Sequence, residues 1–147
     1  MPIKFSALTR PKSLESGEWV EWGHGLAFLI RPGNNKDRDL YVARRGVEEA
    51  RRRALAAGGA KRLEDEPDVD FDPEASLDLQ MEAVAHTVLI GWRGLTDDDG
   101  SDVPYSPEKA MELFRSEGGY QVYRQIVAEA DRIARAALKV AQDAEGN

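Results

Sequence analysis

The sequence predicts a mainly α fold, a compact four-helix domain with a short N-terminal β-hairpin. Three observations predict it. Apolar residues recur at steps of three and four along several stretches, as on one face of a helix. Asn, Asp-Pro-Glu and Ser-Pro-Glu starts and Gly-Gly stops delimit those stretches. Two short apolar strings flank Gly23-His24-Gly25, the pattern of a hairpin. At 147 residues the chain suffices for one core.

Residues 1–16, with Pro2 and Pro11, read as a loose N-terminal arm. The hairpin covers residues 17–33. Glu18 to Trp22 alternates charged and apolar residues, Leu26 to Ile30 is apolar, and Pro32-Gly33 stops the second strand. A lone hairpin is marginal in water, so the helices must support it. The first helix is expected over residues 34–58, capped by Asn34 or Asn35, with Leu40, Ala43, Val47, Ala50 and Ala54 as its apolar stripe. Residues 59–73 hold two prolines and many acids and read as a linker.

Asp72-Pro73-Glu74 opens the next helix, expected over residues 74–93, with Leu77, Met81, Val84, Ala85, Val88, Leu89 and Trp92 on one face. Ser106-Pro107-Glu108 opens a short helix over residues 106–116, which Gly118-Gly119 breaks. The last helix, over residues 119–143, turns Tyr123, Ile126, Val127, Ala130, Ile133, Ala134, Ala137, Leu138 and Ala141 inward.

Composition narrows the function. With no cysteine, disulfides and thiolate chemistry are excluded. A net charge of -7 argues against nucleic acid or membrane as the partner. The N-terminus lacks the apolar core of a signal peptide, and the longest apolar runs are too short to span a bilayer. Charge is also unevenly placed. Arg31 to Arg62 carries ten basic residues against four acidic, whereas Leu63 to Asp102 carries thirteen acidic against Arg93 alone. Either the two regions neutralise each other, or the basic helix offers a face to an acidic protein.

Constellations for catalysis are missing from the sequence. The acid-rich turn from Asp97 to Asp102 fails as a calcium loop, because Asp102 falls where the sharp turn needs glycine. His24 and His86 lack a second ligand or orienting group at a useful spacing. No phosphate-binding glycine loop and no nucleophile elbow occurs. We therefore expect no enzyme, no metal and no cofactor. Partner binding is the expectation that remains. Trp19, Trp22 and Trp92 are the natural anchors, with Phe28 beside them on the hairpin. Arg38, Arg45 and Arg52, repeating every seventh residue, supply charge. Trp19 and Trp22 point to opposite faces of one strand, so one needs covering by the core and the other by a partner or a second copy. A homo-oligomer is one such solution.

Two segments together resemble the tail assembly chaperones of long-tailed bacteriophages. The first is Gly17 to Trp22 followed by Gly25 to Asn34, an aromatic hairpin ahead of an Asn-led, arginine-bearing helix. The second is Ala85 to Leu95, then Asp98-Asp99-Gly100 and Val103 to Glu108, a helix, tryptophan, acid-Gly turn and Pro-Tyr-Ser helix start. The resemblance implies a protein that binds the tail tube protein and the tape measure protein. It implies action in the host bacterial cytoplasm, during infection or prophage expression, and absence from the finished virion. The alternative is a structural connector or tail-completion protein retained in the particle.

Overall fold

The computed structural model describes Pro2, Phe5, residues 16–56 and residues 73–145, with side chains to Lys139. The expected arm and acidic linker lie almost wholly outside the described residues. The elements are β1 (Glu18–Gly23), β2 (Leu26–Ile30), α1 (Lys36–Ala56), α2 (Pro73–Thr87), β3 (Leu89–Arg93), α3 (Pro107–Arg115) and α4 (Glu117–Glu145). The fold is mainly α, as expected, with four helices and a small antiparallel sheet among the described residues.

β1 and β2 form the expected hairpin. His24 and Gly25 both have positive φ, 57° and 80°, which a two-residue turn needs to match the strand twist. The sheet holds one strand more than expected. Its order is β1-β2-β3, with Phe28 opposite Trp92 and Ile30 opposite Leu89. The helix expected to reach residue 93 therefore stops at Thr87. Val88, Ile90 and Trp92 suit a pleated strand, and Gly91 weakens a helix, so pairing with β2 wins. Their apolar spacing fits either period.

The helix end at Thr87 is closed by groups from the hairpin exit. Thr87 O accepts from Arg31 Nη1 at 3.2 Å and from Asn35 Nδ2 at 3.0 Å. A guanidinium there also complements the negative end of the α2 dipole. Asn35 does double duty, since its Oδ1 accepts the Arg38 N–H at 2.9 Å as the cap of α1. Arg31 N donates to Val88 O, and Gly33 N to Ala130 O. These bonds tie the hairpin to α2, β3 and α4.

The core lies between the inner sheet face and the helices. Phe28, Ile30, Val84, Val88, Leu89, Phe114 and Ile126 are fully buried. Each contributes roughly 1.5–3 kcal/mol by leaving water. α3 starts as expected, with Pro107 in its first turn and Ser106 Oγ accepting the Lys109 N–H at 3.1 Å. Ser116 closes it, donating its N–H to Leu113 O. The same residue opens α4, because its Oγ accepts the Gly119 N–H at 3.0 Å. Tyr123, Ile126, Ala130 and Ile133 are buried, but Leu138 is exposed, so the stripe of α4 outruns the core.

The stripe expected to bury α1 does not do so. No residue of α1 is buried, and Leu40 and Val47 stand 47% and 61% exposed. α1 instead meets α2 through polar contacts. Tyr41 Oη donates to Glu82 Oε1 at 2.7 Å, and its ring stacks on His86 with 5.0 Å between centroids. Burial first, and then the Glu82 hydrogen bond, push the Tyr41 phenol up to about 12.

Tyr105 shows the same resistance to ionisation. Its hydroxyl lies against Ala85 O and Leu89 O, at the corner where α2 becomes β3. Burial raises its pKa above the ordinary 10.0, and burial also raises that of Tyr123. All three folded-state values lie above the unfolded one, so the folded state holds protons that the unfolded chain releases. Stability is full below about 10 and falls as pH rises through the folded values. Denaturation midpoints should be flat near neutral pH and drop above about 10, with a shallower drop in Tyr105→Phe. A flat profile in the wild type would refute this.

Candidate partner-binding surface

Alternation along the strands sorts the aromatic residues onto two faces. On the inner face, Val20, Phe28 and Trp92 form one cross-strand row. Trp22 packs edge-on to Phe28, with centroids 4.7 Å apart, and Phe28 is edge-on to Trp92 at 6.4 Å. The Trp92 Nε1–H donates to Val103 O at 2.8 Å, so its polar handle is satisfied. Phe28 and Trp92 are therefore core residues, and Trp22 is half-buried beside them. Burial leaves Phe28 and Trp92 no surface to offer a partner, which corrects their expected role.

The outer face presents Trp19. Strand register sets Trp19, Leu29 and Gly91 in one row and Glu21, Ala27 and Arg93 in the next. Arg93 donates to Glu21 Oε1 at 2.6 Å across Ala27, which is fully covered. The same guanidinium carbon lies 4.5 Å from the centre of the Trp19 ring, in cation–π contact. Trp19 remains 42% exposed. Gly91 has no side chain to shield it. Among the described residues β1 is an end strand, so the indole stands beside an open sheet edge.

One charged row runs along the side of α1 that meets α2. Arg38 donates to Gly33 O at 2.9 Å and to Gln80 Oε1 at 3.1 Å. Arg45 donates to Glu48 at 2.9 Å and has Glu82 within 3.5 Å. Arg52 is more exposed, with Glu49 at 3.5 Å. The seven-residue repeat thus marks the side of α1 nearer α2, not the outward side. The outward arginines are Arg44 and Arg51. The same repeat read from Leu40 would have found them, had the direction of packing been known.

Two further surface features are a groove and an acidic turn. A groove of about 750 Å³ runs past the start of α1, α2 and α4, floored by Val84, Val88 and Val127. In the acid turn, Ser101 donates its N–H and O–H to Asp99 Oδ1, which lowers the Asp99 pKa. Among the described residues no acidic or histidine cluster suits a metal ion. No helix among them is long and apolar enough to cross a membrane.

The family model of the YdaY prophage protein matches residues 41–147. The chain belongs to this phage-derived family. No curated protein and no solved structure matches it. The YdaY match begins within α1 and runs through α4, so the Trp19 hairpin lies outside the matched residues.

Proposed function

We propose that this YdaY-family protein is a non-enzymatic tail assembly chaperone. It binds the tail tube and tape measure proteins in the host cytoplasm and leaves before the virion is complete. The observation that carries the reading is Trp19, an exposed indole on the outer sheet face beside an end strand. A phage-derived family supports the setting. An indole held by one cation–π contact is preorganised to meet an apolar client surface at little entropic cost. The paired charges Glu21 and Arg93 beside it form a polar rim, suited to reversible release.

Co-expression with the tube and tape measure proteins of the same prophage should yield a co-purifying complex or a more soluble client. Trp19→Ala should weaken that complex about 30-fold, as loss of an interface anchor does. Its thermal midpoint should stay close to that of the wild type, because the side chain lies outside the core. If neither client co-purifies nor gains solubility, the reading fails. Mass spectrometry of purified particles tests release, since a retained connector would be present and a chaperone absent.

A further inference from the structure

We propose that the outward face of α1 is a docking seam for an acidic amphipathic helix of another protein. The inference stands apart from the tail-assembly reading, which concerns the sheet. Leu40, Ala43, Val47, Ala50 and Ala54 follow steps of three, four, three and four, the spacing of the apolar seam in a coiled coil. Within a monomer such a stripe normally faces the core. Here Tyr41 and Arg45 reach Glu82 of α2, and Arg38 reaches Gln80, from the opposite side of the helix. The seam is left outside, with no residue of α1 buried. Its alanines are small enough to let a second helix approach closely.

The flanks of the seam identify the occupant. Numbering the heptad from Leu40 puts Arg44 and Arg51 on one flank, and Asp39, Gly46 and Arg53 on the other. Among the described residues neither Arg44 nor Arg51 has an ion-pair partner, although five other arginines of the chain outside α1 do: Arg31, Arg93, Arg115, Arg132 and Arg135. Arg53 has Glu49 at 3.9 Å, the edge of ion-pair range. Flanking charges set partner choice in paired helices. A second copy would set Arg44 and Arg51 against one another in the antiparallel arrangement, and in the parallel one it would bring only Asp39 to Arg44 and leave Arg51 facing Gly46. A helix with glutamates beside its seam neutralises the row in either direction. The chain's own acidic stretch fits poorly, because Pro67 interrupts it and Leu63, Val69 and Phe71 lack helical spacing.

The test uses the full chain and a labelled helical peptide of about four heptads, long enough to hold a helix. One peptide has leucine at the seam and glutamate on both flanks, and its control has lysine on the flanks. Fluorescence anisotropy should show the glutamate peptide binding at least about tenfold more tightly, an advantage that added salt erodes. Val47→Asp should abolish binding while leaving the circular dichroism spectrum intact. Arg44→Glu with Arg51→Glu should reverse the preference to the lysine peptide. Equal binding of the two peptides, or no effect of Val47→Asp, overturns the proposal. So does a wild-type dimer in sedimentation that Val47→Asp dissociates, because a second copy would then own the face. Binding that appears only after Glu64, Asp65, Glu66, Asp68, Asp70 and Asp72 are neutralised would assign the face to the chain itself and also overturn it.

Discussion

Phe28→Ala should lower the stability of the fold by about 3–5 kcal/mol, the usual cost of removing a buried aromatic ring. The ring is 1% exposed on the central strand and is met edge-on by both Trp22 and Trp92. Neither indole can close the void cheaply. Trp92 is held by its bond to Val103 O, and Trp22 is fixed by the hairpin turn that follows it. A domain of this size has about 5–15 kcal/mol in hand, so the variant should sit near its unfolding limit. Urea denaturation followed by tryptophan fluorescence reads both effects, because two of the three indoles border the cavity. A loss under about 1 kcal/mol would mean that Phe28 is not a core residue.

Gly94→Ala should be nearly as damaging, for a backbone reason. Gly94 has φ 80°, where an L side chain costs roughly 1–2 kcal/mol. A Cβ there would also run into Gly25 O and crowd Leu26 Cα, both backbone atoms of the hairpin. Relieving the clash means moving the turn itself, so a further 1–3 kcal/mol or so is expected. Gly100 separates the two costs. Its φ is 84°, but a Cβ would meet nothing within 4 Å, so Gly100→Ala should show the conformational cost alone. Thermal denaturation of the two variants side by side makes the comparison. Equal losses would remove the steric half of the explanation.

Local chemistry made much of this fold readable. The Gly-His-Gly turn, the Asn35 cap and the Ser106-Pro107 start each depend on neighbours in sequence, and each appears where their chemistry puts it. The inner stripe of α4 was legible for the same reason as far as Ile133. β3 was not, because Val88, Leu89 and Trp92 satisfy a helical period and an edge of β2 equally well. Only the presence of β2 beside them decides, and that is a tertiary fact. α1 misled in a different way. Its best apolar stripe and its best arginine row lie on opposite sides, and the helix packs by the charged one because Glu82 and Gln80 of α2 lie there. Of the expected surface residues, Trp19 alone combines an aromatic ring with substantial exposure. The alternation that separated Trp19 from Trp22 was visible in the sequence; which indole faced outward depended on where α4 and the other helices lie.

The third strand has a bearing on how the chain is made. Phe28 and Ile30 emerge from the ribosome long before Trp92 and Leu89, their partners across the sheet. At roughly 5–20 residues per second, the nascent hairpin spends several seconds without its neighbour strand or the later helices that cover it. During that interval its inner face of Val20, Trp22, Phe28 and Ile30 is uncovered, and β2 lacks the neighbour that pairs with its second edge. A polypeptide released early, before β3 and α3 have been translated, would carry an uncovered aromatic sheet fragment prone to pair with its like.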